Sequence, residues 1–477
     1  MRRGRKTFRY EHLATEIEDK IKNGTYKPGE RLPSIRSLCR HLKLSVSTVY
    51  RAYMELETMG LVEVKPKSGC YVSAATLDKL QVPRFPKKLL PPKEVRLGNM
   101  INSVVAAIGN PDLLPLGSTT IDAQLLPFKG FSRIIKELSR KEIESIMSYS
   151  LSEGTPGLRR QIALRTVGLI EAVATEDIII TNGCTEAVAL SLLATARAGD
   201  TIAVETPTNF SFLQLLQELG LRVVEVPTDP RSGVDMSEFA KLIRHSTIKA
   251  CILMPNFHNP LGAIMPDGKK REVVALLAGH DIPLIEDDVS SELYFEGQRP
   301  RPIKSFDRKE MVLLCSSFSK TLAPGLRIGW IIPGQRFKSK IQRLKAGINV
   351  STSTLDQYLL VQFLERGGYE RQLRLIRKHL KKQVVQTALA IQQHFPEETR
   401  LAVPRGGSLL WVQLASRVDG MKVYQAALDR KIAVIPGEVC SNSRHFKNYI
   451  QISCGYPDMP AVETGIARLG AIIRELS

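Results

Sequence analysis

Acidic side chains are in short supply in this 477-residue chain: 48 Asp and Glu stand against 67 Lys and Arg, a formal net charge of +19. An excess of that size points to an anionic partner, nucleic acid above all. No Cys-x-x-Cys pair occurs among the seven cysteines, which are far apart in the chain. An odd and scattered set excludes a disulfide framework and a cysteine zinc site, and it fits reduced thiols in the cytoplasm. No apolar run approaches membrane-spanning length, and the basic start, Met1 to Lys6, leads into a charged amphipathic stretch where a secretory signal would need an apolar core. Low-complexity and collagen-like tracts are missing too. What remains, 43% apolar and 24% charged residues, is the composition of a globular protein, and the length asks for at least two domains.

The charge is concentrated at the front. Residues 1–75 carry 15 Lys and Arg against 8 Asp and Glu, and residues 76–95 carry 5 against 2. Within the first segment Leu13, Ile17 and Ile21 recur at helical spacing before Asn23-Gly24. Pro33-Ser34 opens a second helix with Ile35, Leu38, Cys39 and Leu42 on one face. Ser45 caps a third, whose buried stripe is Val49, Tyr53 and Leu56. Leu61–Val64 and Cys70–Val72 then alternate as two short strands around a basic tip that contains Lys67. Three short helices and a basic hairpin predict an α+β winged helix-turn-helix, a reader of double-stranded DNA.

The wording is more specific than the periodicity. Lys27-Pro28-Gly29-Glu30-Arg31-Leu32-Pro33-Ser34, then Arg36, then Ser47-Thr48-Val49, then Leu56 with Gly60-Leu61, resembles the GntR family of bacterial transcription regulators. The resemblance implies DNA contacts from Arg36 and from Ser45, Ser47 and Thr48 at the start of the recognition helix. Short hydroxyls suit phosphate oxygens and base edges, and Lys67 in the wing suits a phosphate. Val46 stands where many relatives carry arginine, so base preference there should differ. Tyr50 either faces DNA as well or packs on the first helix.

From residue 76 to 96 periodicity fails. Pro83, Pro86, Pro91 and Pro92 interrupt any helix, and basic residues keep the stretch charged. It is expected to be a semi-extended linker that sets a reach between two folded bodies.

Residues 97–477 alternate apolar runs with helical patterns. The runs Asp177–Thr181, Thr201–Val204, Arg222–Val226, Ala250–Met254, Pro283–Glu286, Met311–Cys315 and Ile328–Ile332 read as buried strands. The helical stretches between them predict an α/β domain with a mostly parallel central sheet, which binds ligands at the carboxyl ends of its strands. Polar motifs fall at those ends: Thr181-Asn182-Gly183-Cys184-Thr185, Asn256-Phe257-His258-Asn259-Pro260, Glu286-Asp287-Asp288 and Ser316-Ser317-Phe318-Ser319-Lys320, with Arg327 seven residues on. A glycine opening a helix offers N–H groups to a phosphate. A lysine among hydroxyls, with a guanidinium close by, suits Schiff-base chemistry with a phosphorylated aldehyde.

In this order the motifs resemble the aspartate-aminotransferase fold of pyridoxal-phosphate enzymes, over essentially residues 100–477. The resemblance implies pyridoxal 5'-phosphate as cofactor, with Lys320 as its Schiff-base lysine and Asp287 on the pyridinium nitrogen. It implies Asn259 on the ring hydroxyl, and Gly183, Cys184, Thr185, Ser317 and Arg327 around the phosphate. Tyr149 would reach that phosphate across a homodimer interface. Three positions depart from the pattern: Asn209 where an aromatic usually stacks, Ser290 in place of a tyrosine, and Gln451 in Tyr449-Ile450-Gln451-Ile452 where an arginine usually clamps the substrate carboxylate. Arg405 or Arg444 is a possible substitute. A neutral amide cannot make the bidentate, charge-assisted pair of a guanidinium. A GntR reader fused to an aminotransferase-like body is the architecture of the MocR-like subgroup, which implies a cytoplasmic regulator that responds to an amine, an amino acid or the vitamer. An active aminotransferase with an appended DNA reader is the other reading.

Overall fold

The computed structural model describes residues 9–477 except 24, 28, 66, 67, 74–79, 87, 88, 97–99, 120, 122, 172 and 246. Lys67 of the expected wing lies outside the described residues. Leu13, Ile17 and Ile21 share one face of helix α1 (Arg9–Lys22) and are buried against helix α3 (Val46–Thr58). Between them stands α2 (Ile35–Leu42), capped by Ser34, whose hydroxyl accepts from Ser37 N–H at 3.1 Å. Val49, Tyr53 and Leu56 of α3 are almost fully enclosed, and the Tyr53 hydroxyl donates to the Pro33 carbonyl. Burial of each such side chain contributes about 1.5–3 kcal/mol, which suits a small three-helix core. The hairpin β1 (Val62–Lys65) and β2 (Gly69–Val72) closes this core with Val62 opposite Val72.

The stretch expected to act as a linker is pinned along the large body wherever it is described. Proline has no N–H to give, so pairing runs through its neighbours. Leu401 N–H donates to Gln81 O at 2.8 Å, Arg84 N–H donates to Gln413 Oε1 at 2.8 Å, and the Tyr449 hydroxyl donates to Arg84 O. Lys93–Glu94 forms a two-residue strand, β3, antiparallel to β6 (Arg222–Asp229).

All seven strands expected from apolar runs join one sheet. They are β4 (Ile179–Thr181), β5 (Thr201–Thr206), β6, β8 (Ala250–Leu253), β9 (Leu284–Asp287), β10 (Val312–Ser317) and β11 (Gly329–Ile332), with a short β7 (Gly233–Val234) beside β6. The order is β3-β6-β5-β8-β9-β10-β11-β4. The centre, β6 to β10, is parallel, and β11 runs antiparallel between β10 and β4. A second sheet was not foreseen: β12 (Arg400–Leu401), β13 (Leu409–Gln413), β14 (Ile435–Pro436) and β15 (Tyr449–Ser453), in the order β12-β13-β15-β14. One apolar cluster runs from the large sheet to the small one, so the two sheets form one body.

Candidate functional site

Parallel strands deliver their following loops to the same sheet end, and a cavity of about 460 Å³ opens there. Its wall contains Cys184, Thr185, Asn259, Asp287, Ser317, Lys320 and Arg327, so chain segments up to 143 residues apart meet as the motif order implied. Gly183 belongs to the same corner. It caps the helix Cys184–Thr195 with φ +84°, and a Cβ there would fall 2.4 Å from Arg327 Nη2. Only glycine fits this combination of conformation and close approach. The helix therefore presents free N–H groups and the positive end of its dipole beside a guanidinium.

Lys320 follows β10 by three residues. Its ammonium donates to Thr119 O at 3.0 Å and to Thr119 Oγ1 at 2.7 Å. Burial lowers its pKa to about 8, opposed by the Asp287 carboxylate and reinforced by Arg327. Asp287 ends β9. Burial raises its pKa to about 6, against hydrogen bonds donated by Val289 N–H at 2.9 Å and by Cys184 Sγ at 3.5 Å. Burial also pushes the Cys184 thiol well up, so it is a hydrogen-bond donor here and no thiolate.

The three adjacent carboxylates divide their work. Glu286 accepts from Ile303 N–H at 2.6 Å and Lys304 N–H at 2.9 Å, a structural task. Asp288 pairs with Arg299 at 2.9 Å and accepts from Asn256 and Ser291. Asp287 alone reaches the cavity without a cation touching it, which leaves room for a protonated ring nitrogen. A half-buried, easily deprotonated lysine, an underpaired carboxylate and a glycine-opened helix end next to arginine together fit the aldehyde, pyridine and phosphate of pyridoxal phosphate.

Tyr149 does not enter this cavity from its own chain. It is 88% exposed, close to Met147 and Leu151, which are also exposed. Asn209 caps the helix Phe210–Glu218 by accepting from Ser211 N–H, and it lines the cavity with Phe210 and Ser290. Gln451 is buried in β15. Neither suggested arginine lines the cavity: Arg405 borders a neighbouring groove and Arg444 is 3.6 Å from Glu438 near the surface. Thr119 and the Gly406-Gly407 turn were missed in the sequence. The glycine pair was the only signal: a Cβ on Gly406 would sit 2.2 Å from the Phe257 ring.

In the small domain, Ser45 accepts from Thr48 N–H at 3.2 Å, and its hydroxyl lies 2.9 Å from that of Ser47. Ser45, Val46, Ser47 and Arg36 are exposed at the adjoining starts of α3 and α2. Tyr50 is 54% exposed on α3, whereas its neighbours Val49 and Arg51 face α1, Val49 in the shared apolar core and Arg51 over the Tyr10 ring. Of the two orientations left open for Tyr50, the outward one is found.

Residues 9–72 match the bacterial regulatory proteins of the gntR family, and residues 122–469 match aminotransferase class I and II. Among curated proteins the chain is similar to the uncharacterized HTH-type transcriptional regulator YjiR of Escherichia coli (strain K12), with 36% identity and 98% of each chain covered. It is also similar to YdcR of the same strain, described likewise, with 33% identity over 98% of this chain and 99% of that one. Among solved structures, Pyrococcus horikoshii kynurenine aminotransferase in complex with PMP superimposes with TM-score 0.74 and 25% identity, covering 79% of this chain and 95% of that one.

Proposed function

Because the chain belongs to the bacterial HTH-type transcriptional regulators that join a GntR reader to an aminotransferase class I and II body, we propose that it is a cytoplasmic, homodimeric regulator that carries pyridoxal phosphate on Lys320 and reads a small amine effector with it. The observation that supports this most is the half-buried Lys320 amine, with its pKa down to about 8, sharing a cavity with Asp287. When bound, pyridoxal phosphate supplies an aldehyde for an amine and a ring that withdraws electrons. Lys320 would provide the tethering amine, and Asp287 would hold the ring-nitrogen proton. Gly183, Cys184, Thr185, Ser317 and Arg327 would take the phosphate, and Asn259 would hold the ring hydroxyl. A change in the charge of the Lys320 amine at the Thr119 contact would be the differential interaction that effector control of DNA binding requires.

Residues 1–75 are the DNA reader in this reading, residues 76–96 the connection, and residues 97–477 the effector and dimerisation body. Arg36, Ser45, Ser47, Thr48, Tyr50 and Lys67 are its operator contacts. The dimer is supported by an exposed apolar face: Met147, Tyr149 and Leu151 lie on a loop joined to Val350 and Leu355 through Ser150 to Thr352 O and Thr354 to Ser148 O hydrogen bonds. An apolar patch of that kind marks an association surface. Tyr149 then reaches the partner's phosphate cup. The test is the visible spectrum of the purified protein. A band that borohydride fixes onto Lys320, and that Lys320→Ala removes together with effector-dependent operator binding, supports the proposal. A colourless protein that regulates normally sinks it.

A further inference from the structure

The cavity wall is short of free positive charge. Lys320 and Arg327 are its only lysine and arginine among the described residues, and the proposed function commits both to the cofactor. Much of the remaining wall is apolar, with Val105, Ile108, Ile121, Leu293, Leu380 and Leu409. A carboxylate on the effector would lose its hydration in this cavity and meet no uncommitted cation. Such a transfer is strongly unfavourable unless a partner is supplied.

One polar side chain lies behind the wall, on a strand of the small sheet and outside the lining itself. Gln451 sits on β15 directly opposite Ile435 of β14, and Ser453 two residues on sits opposite Leu409 of β13. Cross-strand partners share a face of the sheet. Ile435 and Leu409 both line the cavity, so Gln451 belongs to the cavity-facing side of the small sheet. It is 1% exposed, and neither its Nε2 nor its Oε1 has a hydrogen-bond partner among the described residues. A buried amide left unmatched on both atoms is uncommon and calls for a reason. An amide can donate to one atom and accept from another, so its complement is a neutral group with the same pair of functions.

We infer that the effector is a primary amine without a free carboxylate, of apolar body, and that Gln451 is a specificity-determining residue which selects a neutral carboxamide over a carboxylate. This rests on the proposed tethering of the cofactor by Lys320 and deepens it. Binding would place the amine at Lys320, the apolar body along Ile121 and Leu409, and the neutral group toward Gln451.

Three probes of nearly one size decide the matter: leucine, leucinamide and 3-methylbutylamine. Each is titrated into full-length holoprotein while the change in the visible cofactor spectrum is followed at equilibrium. Leucinamide is expected to half-saturate at a concentration at least tenfold below leucine, with 3-methylbutylamine also ahead of leucine. In Gln451→Leu the leucinamide advantage over 3-methylbutylamine should vanish while the 3-methylbutylamine response persists. Gln451→Arg, if it folds, should bring leucine to the front. Leucine as the tightest of the three in the native protein overturns the inference, and an unchanged leucinamide preference in Gln451→Leu removes the role of Gln451. A native protein with no visible band overturns the cofactor reading and this inference with it. A band with leucine preferred overturns this inference alone.

Discussion

A lysine drawn partly out of water, its ammonium held by a backbone carbonyl and a hydroxyl, gives up its proton sooner than one at the surface. For Lys320 this has a rate consequence, since only the unprotonated amine attacks a carbonyl. Its pKa is lowered to about 8 by burial, so the neutral fraction grows with pH up to that point and then saturates. Capture of pyridoxal phosphate by cofactor-free protein, followed at visible wavelengths, should accelerate about tenfold per pH unit up to about pH 8 and level off above it. A rate still climbing toward the ordinary lysine range would place Lys320 in water. The residue itself was readable in the sequence, as were Asp287 and Asn259, because each lies at or just past the end of an apolar run that reads as a strand, and so was Arg327, which opens one. Thr119 was not. It meets Lys320 across 201 residues, and nothing in its own surroundings marks it. The orphaned state of Gln451 was equally hidden, since an amide's lack of partners is a property of packing alone.

Elements carry the next level of consequence. Glu292, on a short 3-10 turn after β9, is enclosed by Arg165 at 2.8 Å, Arg299 at 3.4 Å and the Tyr369 hydroxyl. Burial alone would raise its pKa, but Arg299 and Arg165 bring it down to about 2. The Tyr369 oxygen, whose one proton goes to Glu292, accepts from the hydroxyl of Thr321, the neighbour of Lys320, and Tyr369 belongs to the long helix Gly368–His394. Glu292→Gln would leave two largely buried guanidiniums short of a counter-charge, at a cost of about 3 kcal/mol, readable as a lower urea midpoint. The sign follows from the lowered pKa. The stabilisation is complete above about pH 4.5 and fades as the pH falls toward about 2, so the gap between variant and native protein should narrow in acid. None of this network was visible in the chain order, because its members come from separate helices and loops. The large sheet was visible, run by run, since buried parallel strands are continuous apolar stretches. Its order and the antiparallel turn of β11 were not. The small sheet escaped because β12 and β14 have two residues each, too short for any period.

At the scale of the whole molecule, the net charge of +19 and the apolar face make separate demands. The charge predicts operator affinity that falls steeply with salt. The face predicts that Met147→Asp combined with Val350→Asp yields a monomer in sedimentation equilibrium, with operator affinity lowered at least tenfold through loss of the second reader. A dimer unaffected by both charges would move the interface elsewhere. The reading of two domains, a DNA reader and an α/β body, came directly from the shift in charge and periodicity near residue 75.

The pinned connection also sets a leash length. The wing ends at Val72, and Leu80 already packs against the apolar cluster of the body, with Gln81 bonded to Leu401 one residue on. Even fully stretched, the chain from Val72 to Leu80 spans roughly 30 Å, since each residue adds at most about 3.6 Å. A pair of readers on leashes this short is measured out by the body to which they are tied. In the proposed dimer the body would act as a ruler, and the spacing of the two operator half-sites would be the length it marks. Inserting ten glycine and serine residues after Ser73 should leave each reader's sequence preference intact, and it should let the protein accept half-sites several base pairs closer or farther apart, as seen in a binding series on operators of graded spacing.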